Sequence, residues 1–109
     1  MSERILKVNA LIKRHISEIL TREVSLKPEA LVTVSKVDTS PDLRYTRIFI
    51  SIFPEKESDY VLKTLAKEMF PIQGALNKRL SMKPLPKIEF KNDPTESKAD
   101  EIEKLLKQI

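Results

Sequence analysis

Leu31-Val32-Thr33-Val34-Ser35-Lys36-Val37 and Arg47-Ile48-Phe49-Ile50-Ser51-Ile52-Phe53 decide how this chain folds. Both runs are dense in β-branched residues, which favour extended backbone, and Thr39-Ser40-Pro41-Asp42 between them supplies turn chemistry. The pattern predicts an antiparallel strand pair. In the second run Ile48, Ile50 and Ile52 alternate with Arg47, Phe49, Ser51 and Phe53, so the two sets occupy opposite faces and the isoleucines turn towards a core. The phenylalanine face is left partly exposed.

On the N-terminal side, Ile5, Val8, Ile12, Ile16, Ile19 and Leu20 recur at three- and four-residue spacing, one stripe on a helix over 4–22, with Ser2 as a candidate cap. On the C-terminal side, helical spacing returns through Val61, Leu62, Leu65, Ala66 and Met69 and resumes through Ile72, Ala75, Leu76 and Leu80. Pro71 stands between these two sets. It has no N–H, its ring crowds the preceding turn, and it steers Phe70 away from helical angles. The reading is a kinked pair, 58–70 and 71–80, with Pro71 opening the second helix.

Pro84-Leu85-Pro86 stops that helix, and Lys87-Ile88-Glu89-Phe90-Lys91 alternates as a third strand with Ile88 and Phe90 inward. After a turn at Asn92-Asp93-Pro94, Ile102, Leu105, Leu106 and Ile109 mark a short amphipathic helix over about 98–109. The class is therefore α+β, with helices on one face of a three-stranded sheet. Its order, helix, strand, strand, kinked helix pair, strand, short helix, matches a type II KH-like domain. A chain of 109 residues has room for one core, so residues 1–109 are read as a single domain.

Composition excludes several function classes. There is no cysteine, hence no disulfide, thiolate zinc site or cysteine nucleophile, in keeping with a reducing cytoplasm. Charges interrupt residues 1–22 too often for a signal peptide, and no apolar run reaches membrane-spanning length. His15 is the one histidine and lies beside the apolar stripe, so it reads as a packing residue that has neither a nucleophile nor further metal ligands to work with. Asp42 and Asp93 read as turn residues whose side chains accept backbone N–H bonds. No phosphate-binding loop or dinucleotide fingerprint occurs, and the chain is expected to be non-catalytic and to need no cofactor or metal. Twenty Lys and Arg against sixteen Asp and Glu give a net charge of +4, which favours a polyanionic partner.

The residues resemble the ribosome-binding factor A family along nearly the whole chain. The strand pair carries the most specific stretch: Val32-Thr33-Val34-x-x-Val37, then Ser40-x-Asp42-Leu43, then Ile48-x-Ile50-Ser51. The opening Arg4-x-x-Lys7-Val8 is similar to the family's basic and aliphatic start, and Pro86-x-Ile88-x-Phe90-x-x-Asp93 followed by Ile102-x-x-Leu105-Leu106 to its final strand and closing helix. One departure concerns the kink, where the family carries Ala-x-Gly and this chain has Glu68-Met69-Phe70. The single glycine, Gly74, comes four positions later, and the basic residue expected shortly after the kink is Gln73.

The resemblance implies an assembly factor that binds rRNA of the immature small ribosomal subunit and assists its maturation, including processing near the 5′ end of the small-subunit rRNA. It implies a target near the 5′-terminal helix and the decoding region, and leaves room for a maturation GTPase as a second partner; the protein is expected to be a monomer. An ordinary KH domain grips nucleic acid with a G-x-x-G loop, and none occurs here, so recognition of folded RNA by shape and phosphate is expected instead. The candidate contacts are Arg4, Lys7, Lys13 and Arg14 on the first helix and Lys78, Arg79 and Lys83 at the end of the kinked pair, with Gln73 and Asn77 adding hydrogen bonds. Lys63, Lys67, Lys104 and Lys107, interspersed with acids, read as ordinary surface. Base stacking on Phe49 and Phe53 is the weaker possibility. Two rival functions stay open: a KH-like protein acting on mature ribosomes or other RNA, and a protein–protein module whose basic surface meets an acidic partner.

Overall fold

The computed structural model describes residues 3–83 and 85–93. Along these the elements are α1 (Glu3–Glu23), β1 (Leu31–Thr39), β2 (Tyr45–Phe53), a 3-10 turn (Glu55–Glu57), α2 (Ser58–Lys67), α3 (Met69–Arg79) and β3 (Lys87–Asn92). The architecture is α+β, as the periodicities predict. The expected closing helix at 98–109 and the cap at Ser2 lie outside the described residues.

β2 is the central strand, antiparallel to β1 and parallel to β3. A parallel neighbour requires a crossover, and α2 with α3 provides it. The hairpin strands run further than their β-branched cores, because Asp38, beyond the predicted end of the first run, pairs with Arg47, and Thr39 pairs with Thr46 beyond both. Ser35 sits where the register shifts, between Val34 and Lys36. That extra residue lets Val34 and Val37, three apart, both face the core.

α1 packs on β1 and α3, while α2 lies against β2, β3 and α3. Between helices and sheet, Ile12, Ile16 and Ile19 from α1 join one cluster with Ile48 and Ile50 from β2, Leu65 from α2, and Ile72 and Leu76 from α3. Burying one such side chain contributes about 1.5–3 kcal/mol, whereas an exposed ion pair contributes about 0–1 kcal/mol. The aliphatic layer therefore holds the fold.

The kink differs from expectation in place and cause. The helix pair breaks at Glu68, the shared boundary residue, and not at Pro71, which lies within the first turn of α3 together with a helical Phe70. In that first turn an N–H has no acceptor inside the helix, so proline loses nothing there. Had α2 continued unbroken, Pro71 would have met the carbonyl of Lys67, to which it has no N–H to donate. The break thus falls one turn before the proline. Regular bonding resumes where the Ile72 N–H donates to the Glu68 carbonyl at 3.0 Å.

Candidate nucleic-acid interface

α1 presents Arg4, Lys7, Lys13 and Arg14 to solvent, outside the stripe that its isoleucines bury. At 3.6 residues per turn Arg4, Lys7 and Arg14 share one side of the helix, and Lys13 is turned away by roughly a third of a turn. The four do not form one row. Lys7 lies 3.6 Å from Glu3, with both side chains mostly exposed, a contact too solvated to withhold it from a phosphate.

At the far end of α3, Lys78 is exposed while Arg79 turns inward onto α1, its Nη1 donating to Oε2 of Glu18 at 2.6 Å. This hydrogen bond, reinforced by the guanidinium charge, holds the Glu18 carboxyl below its usual range. Arg79 is thus an interhelix contact. Lys83 follows in the chain leaving α3 and is exposed. Arg4, Lys13, Arg14, Lys78 and Lys83 make no ion pair among the described residues, and they are the cations available to a polyanion.

Gln73 and Asn77 occupy one side of α3, and the structure gives them an internal duty that the sequence does not announce. The Gln73 Nε2 donates to the Pro86 carbonyl at 3.0 Å and to Oδ1 of Asn77 at 2.9 Å, and its Oε1 accepts the Ile88 N–H at 2.9 Å. The carboxamide therefore fastens the start of β3 to α3. Asn77 keeps its Nδ2 donor, which has no partner among the described residues.

These two amides line a groove of about 610 Å³ between the α2–α3 break and the start of β3. Lys67, Met69, Phe70, Leu85 and Lys87 complete its principal walls, and no Asp or Glu lines it. Lys67, read from sequence as ordinary surface, and Phe70, read as the residue before proline and as part of the departure from Ala-x-Gly, are brought together here by the break. No periodicity signals this.

A larger cavity, about 690 Å³, lies by the hairpin turn and is lined by Asp38, Tyr45, Arg47, Lys87 and Glu89 among others. In register, Arg47 stands between Asp38 and Glu89, so carboxylates flank its charge. That cavity is poorly suited to a polyanion. The turn itself is closed by Asp42, whose Oδ1 accepts from the Ser40 hydroxyl at 2.6 Å and from the Arg44 N–H at 3.1 Å. Leu43 beside it adopts φ 61°, left-handed backbone uncommon for a leucine, with its side chain buried. Asp93 accepts from the Ser35 hydroxyl at 2.9 Å, so it ties the end of β3 to the β1 bulge. On the open sheet face Phe53 is exposed, and Phe49 is half-buried with the Lys36 ammonium 5.7 Å from its ring centre. Among the described residues His15 keeps a buried Nδ1 without a partner, and no cluster of His, Asp or Glu is placed to hold a metal ion.

A profile of ribosome-binding factor A matches residues 4–106. The chain belongs to the ribosome-binding factor A family. It is 41% identical over 104 residues to a ribosome-binding factor A of Natranaerobius thermophilus, covering 94% of this chain and 79% of that one. The crystal structure of ribosome-binding factor A from Thermus thermophilus superposes with a TM-score of 0.68 at 27% identity, over 81% of this chain and 94% of the other. A Thermus thermophilus homology model fitted into a cryo-EM map of a complex between the 30S subunit and the factor gives a TM-score of 0.67 at 28% identity, over 79% and 91% of the two chains.

Proposed function

We propose that this protein is a non-catalytic assembly factor that binds rRNA of the immature small ribosomal subunit in the cytoplasm and assists its maturation, including processing near the 5′ end of that rRNA. It acts as a monomeric single domain of KH-like order, and a maturation GTPase is a second partner. The observation that carries the reading is the family match over residues 4–106, joined to a fold that leaves Arg4, Lys13, Arg14, Lys78 and Lys83 exposed and without ion pairs among the described residues. Each such side chain that neutralises a phosphate releases counterions, so affinity falls with salt in proportion to the number engaged. By binding one folded arrangement of the rRNA more tightly than others, the protein shifts the population towards it without doing chemistry. No helix of the described residues is long and apolar enough to cross a membrane.

The test is co-sedimentation with immature small subunits, mature small subunits and large subunits across a salt series, with Arg14→Glu/Lys78→Glu/Lys83→Glu beside the wild type. Salt-sensitive binding that favours immature small subunits and is lost in the variant supports the reading. Equal binding to immature and mature subunits sinks the assembly role, and capture of an acidic protein in place of RNA supports the protein-module rival.

A further inference from the structure

We propose that the outer edge of β1 at residues 31–34 takes up an extended, lysine- or arginine-rich protein segment as a fourth strand, selected by the exposed apolar pair of Leu31 and Phe53 and by the carboxylates of Glu29 and Glu55. The proposal stands apart from the rRNA reading, since it concerns a protein partner at a surface which that reading does not use.

Among the described residues β1 has a neighbouring strand on one side only, and the backbone along its other side faces no strand. Proteins protect such edges with charges, prolines or bulges, because an open edge invites another chain to pair with it. The far half of β1 follows this rule. Lys36 and Asp38 stand on it, beyond the register shift at Ser35. The near half does not, for Leu31-Val32-Thr33-Val34 has no charge and no proline, and it pairs in unbroken register with Phe53, Ile52, Ser51 and Ile50. Regular extended backbone on the paired side leaves regular donors and acceptors on the open side, which is what strand addition requires.

The side chains around this edge define the partner. Leu31 and Phe53 are cross-strand partners on the open face of the sheet, 62% and 65% exposed, so they form an apolar patch that the core does not use. Two residues further out on each strand's chain come Glu29 and Glu55, both exposed and without ion pairs among the described residues. Lys27 is neutralised by Glu57 at 2.8 Å. Asp59 adds another unpaired carboxylate, and Lys56 is the one cation in 27–33 and 53–59 without an ion pair among the described residues. This end of the sheet is therefore locally negative in a chain of net charge +4. It repels a phosphate chain and attracts a basic peptide. Backbone bonds to the edge supply affinity, while the apolar pair and the carboxylates supply selectivity.

The probe is a capped synthetic peptide in which pairs of lysines flank a valine-threonine-valine-threonine centre, added to the full chain at low and at high salt. Two control peptides change one property each: glutamates replace the lysines, or prolines replace the threonines and prevent strand pairing. Backbone amides are followed by NMR shift and hydrogen exchange in the wild type, in Glu29→Lys/Glu55→Lys and in Phe53→Ser. Saturable shifts with slowed exchange are expected at residues 31–34, from the lysine peptide alone. Each variant should weaken binding about tenfold at low salt, and the charge reversal should matter far less at high salt. All three substituted residues are exposed, so melting temperatures should hold.

Absence of shifts at residues 31–34 in the wild type overturns the proposal, whatever the variants do. Equal binding of the proline peptide removes strand addition, and equal binding of the glutamate peptide removes the charge selection. If a single-stranded oligoribonucleotide shifts the same amides and displaces the lysine peptide, the surface belongs to nucleic acid. Concentration-dependent protection of these amides without any peptide makes a second copy of the chain the occupant. Each of these outcomes leaves the co-sedimentation result with ribosomal subunits to be judged by itself.

Discussion

The backbone N–H of Ile88 donates to Oε1 of Gln73 at 2.9 Å, a contact between β3 and α3 across fifteen residues of chain. With the second bond from Gln73 to the Pro86 carbonyl, one side chain satisfies both a donor and an acceptor of the strand it packs beside. Replacing Gln73 by Leu leaves both groups partly buried without partners. The expected loss is about 1–3 kcal/mol in chemical denaturation, with Gln73→Glu in between because it keeps the acceptor alone. Undiminished stability of Gln73→Leu would remove this role.

Thr39 and Thr46 face each other across the hairpin at the buried end of the sheet, their hydroxyls 3.0 Å apart and the residues 4% and 1% exposed. Thr46→Val strands the Thr39 hydroxyl and should cost about 1–3 kcal/mol, whereas Thr39→Val/Thr46→Val removes both polar groups and should be nearly neutral. Equilibrium unfolding of the four proteins of this double-mutant cycle checks it, and simple additivity of the two single losses would count against the pairing.

Acid should loosen the molecule through two carboxylates. The Ser40 hydroxyl and then the Arg44 N–H hold Asp42 below its ordinary value of 3.8, and Arg79 holds Glu18 below 4.5. Depressed values mean that the stabilisation is complete above the unfolded-state pKa and is lost as pH falls through the native one. Melting temperature should therefore stay level down to about pH 5 and drop below about pH 4, with a shallower drop in Asp42→Asn and Glu18→Gln. Titration of the two carboxyls by NMR gives the midpoints directly, and midpoints at or above the ordinary values would refute the account.

Gly74 lies inside α3 with negative φ, and a Cβ built there meets nothing within 4 Å. Alanine restricts the unfolded chain and suits the helix, so Gly74→Ala should gain about 0.5–1 kcal/mol, seen as a rise of a few degrees in melting temperature. No gain would mean that α3 needs the backbone freedom of glycine.

The sequence by itself determined the order of the described elements, the α+β class and the identity of the buried face, because burial on one side imposes periods of 3.6 and 2 that are written locally. Ile12, Ile16 and Ile19 on α1 and Ile48 and Ile50 on β2 were legible for that reason, and so was the turn at Asp42. The family resemblance was legible as well, from spacings in the same strand pair. Local patterns do not say which exposed side chains meet. Arg79 and Lys78 look alike in sequence, yet only the packing of α3 on α1 brings Arg79 to Glu18 and leaves Lys78 to solvent. Pro71 announced a break, but its position at Glu68 followed from where a missing N–H does least harm in the helix. The groove joining Lys67, Phe70, Asn77 and Lys87 exists only because the crossover lays β3 beside the broken helix pair, and that long-range juxtaposition belongs to the tertiary structure alone.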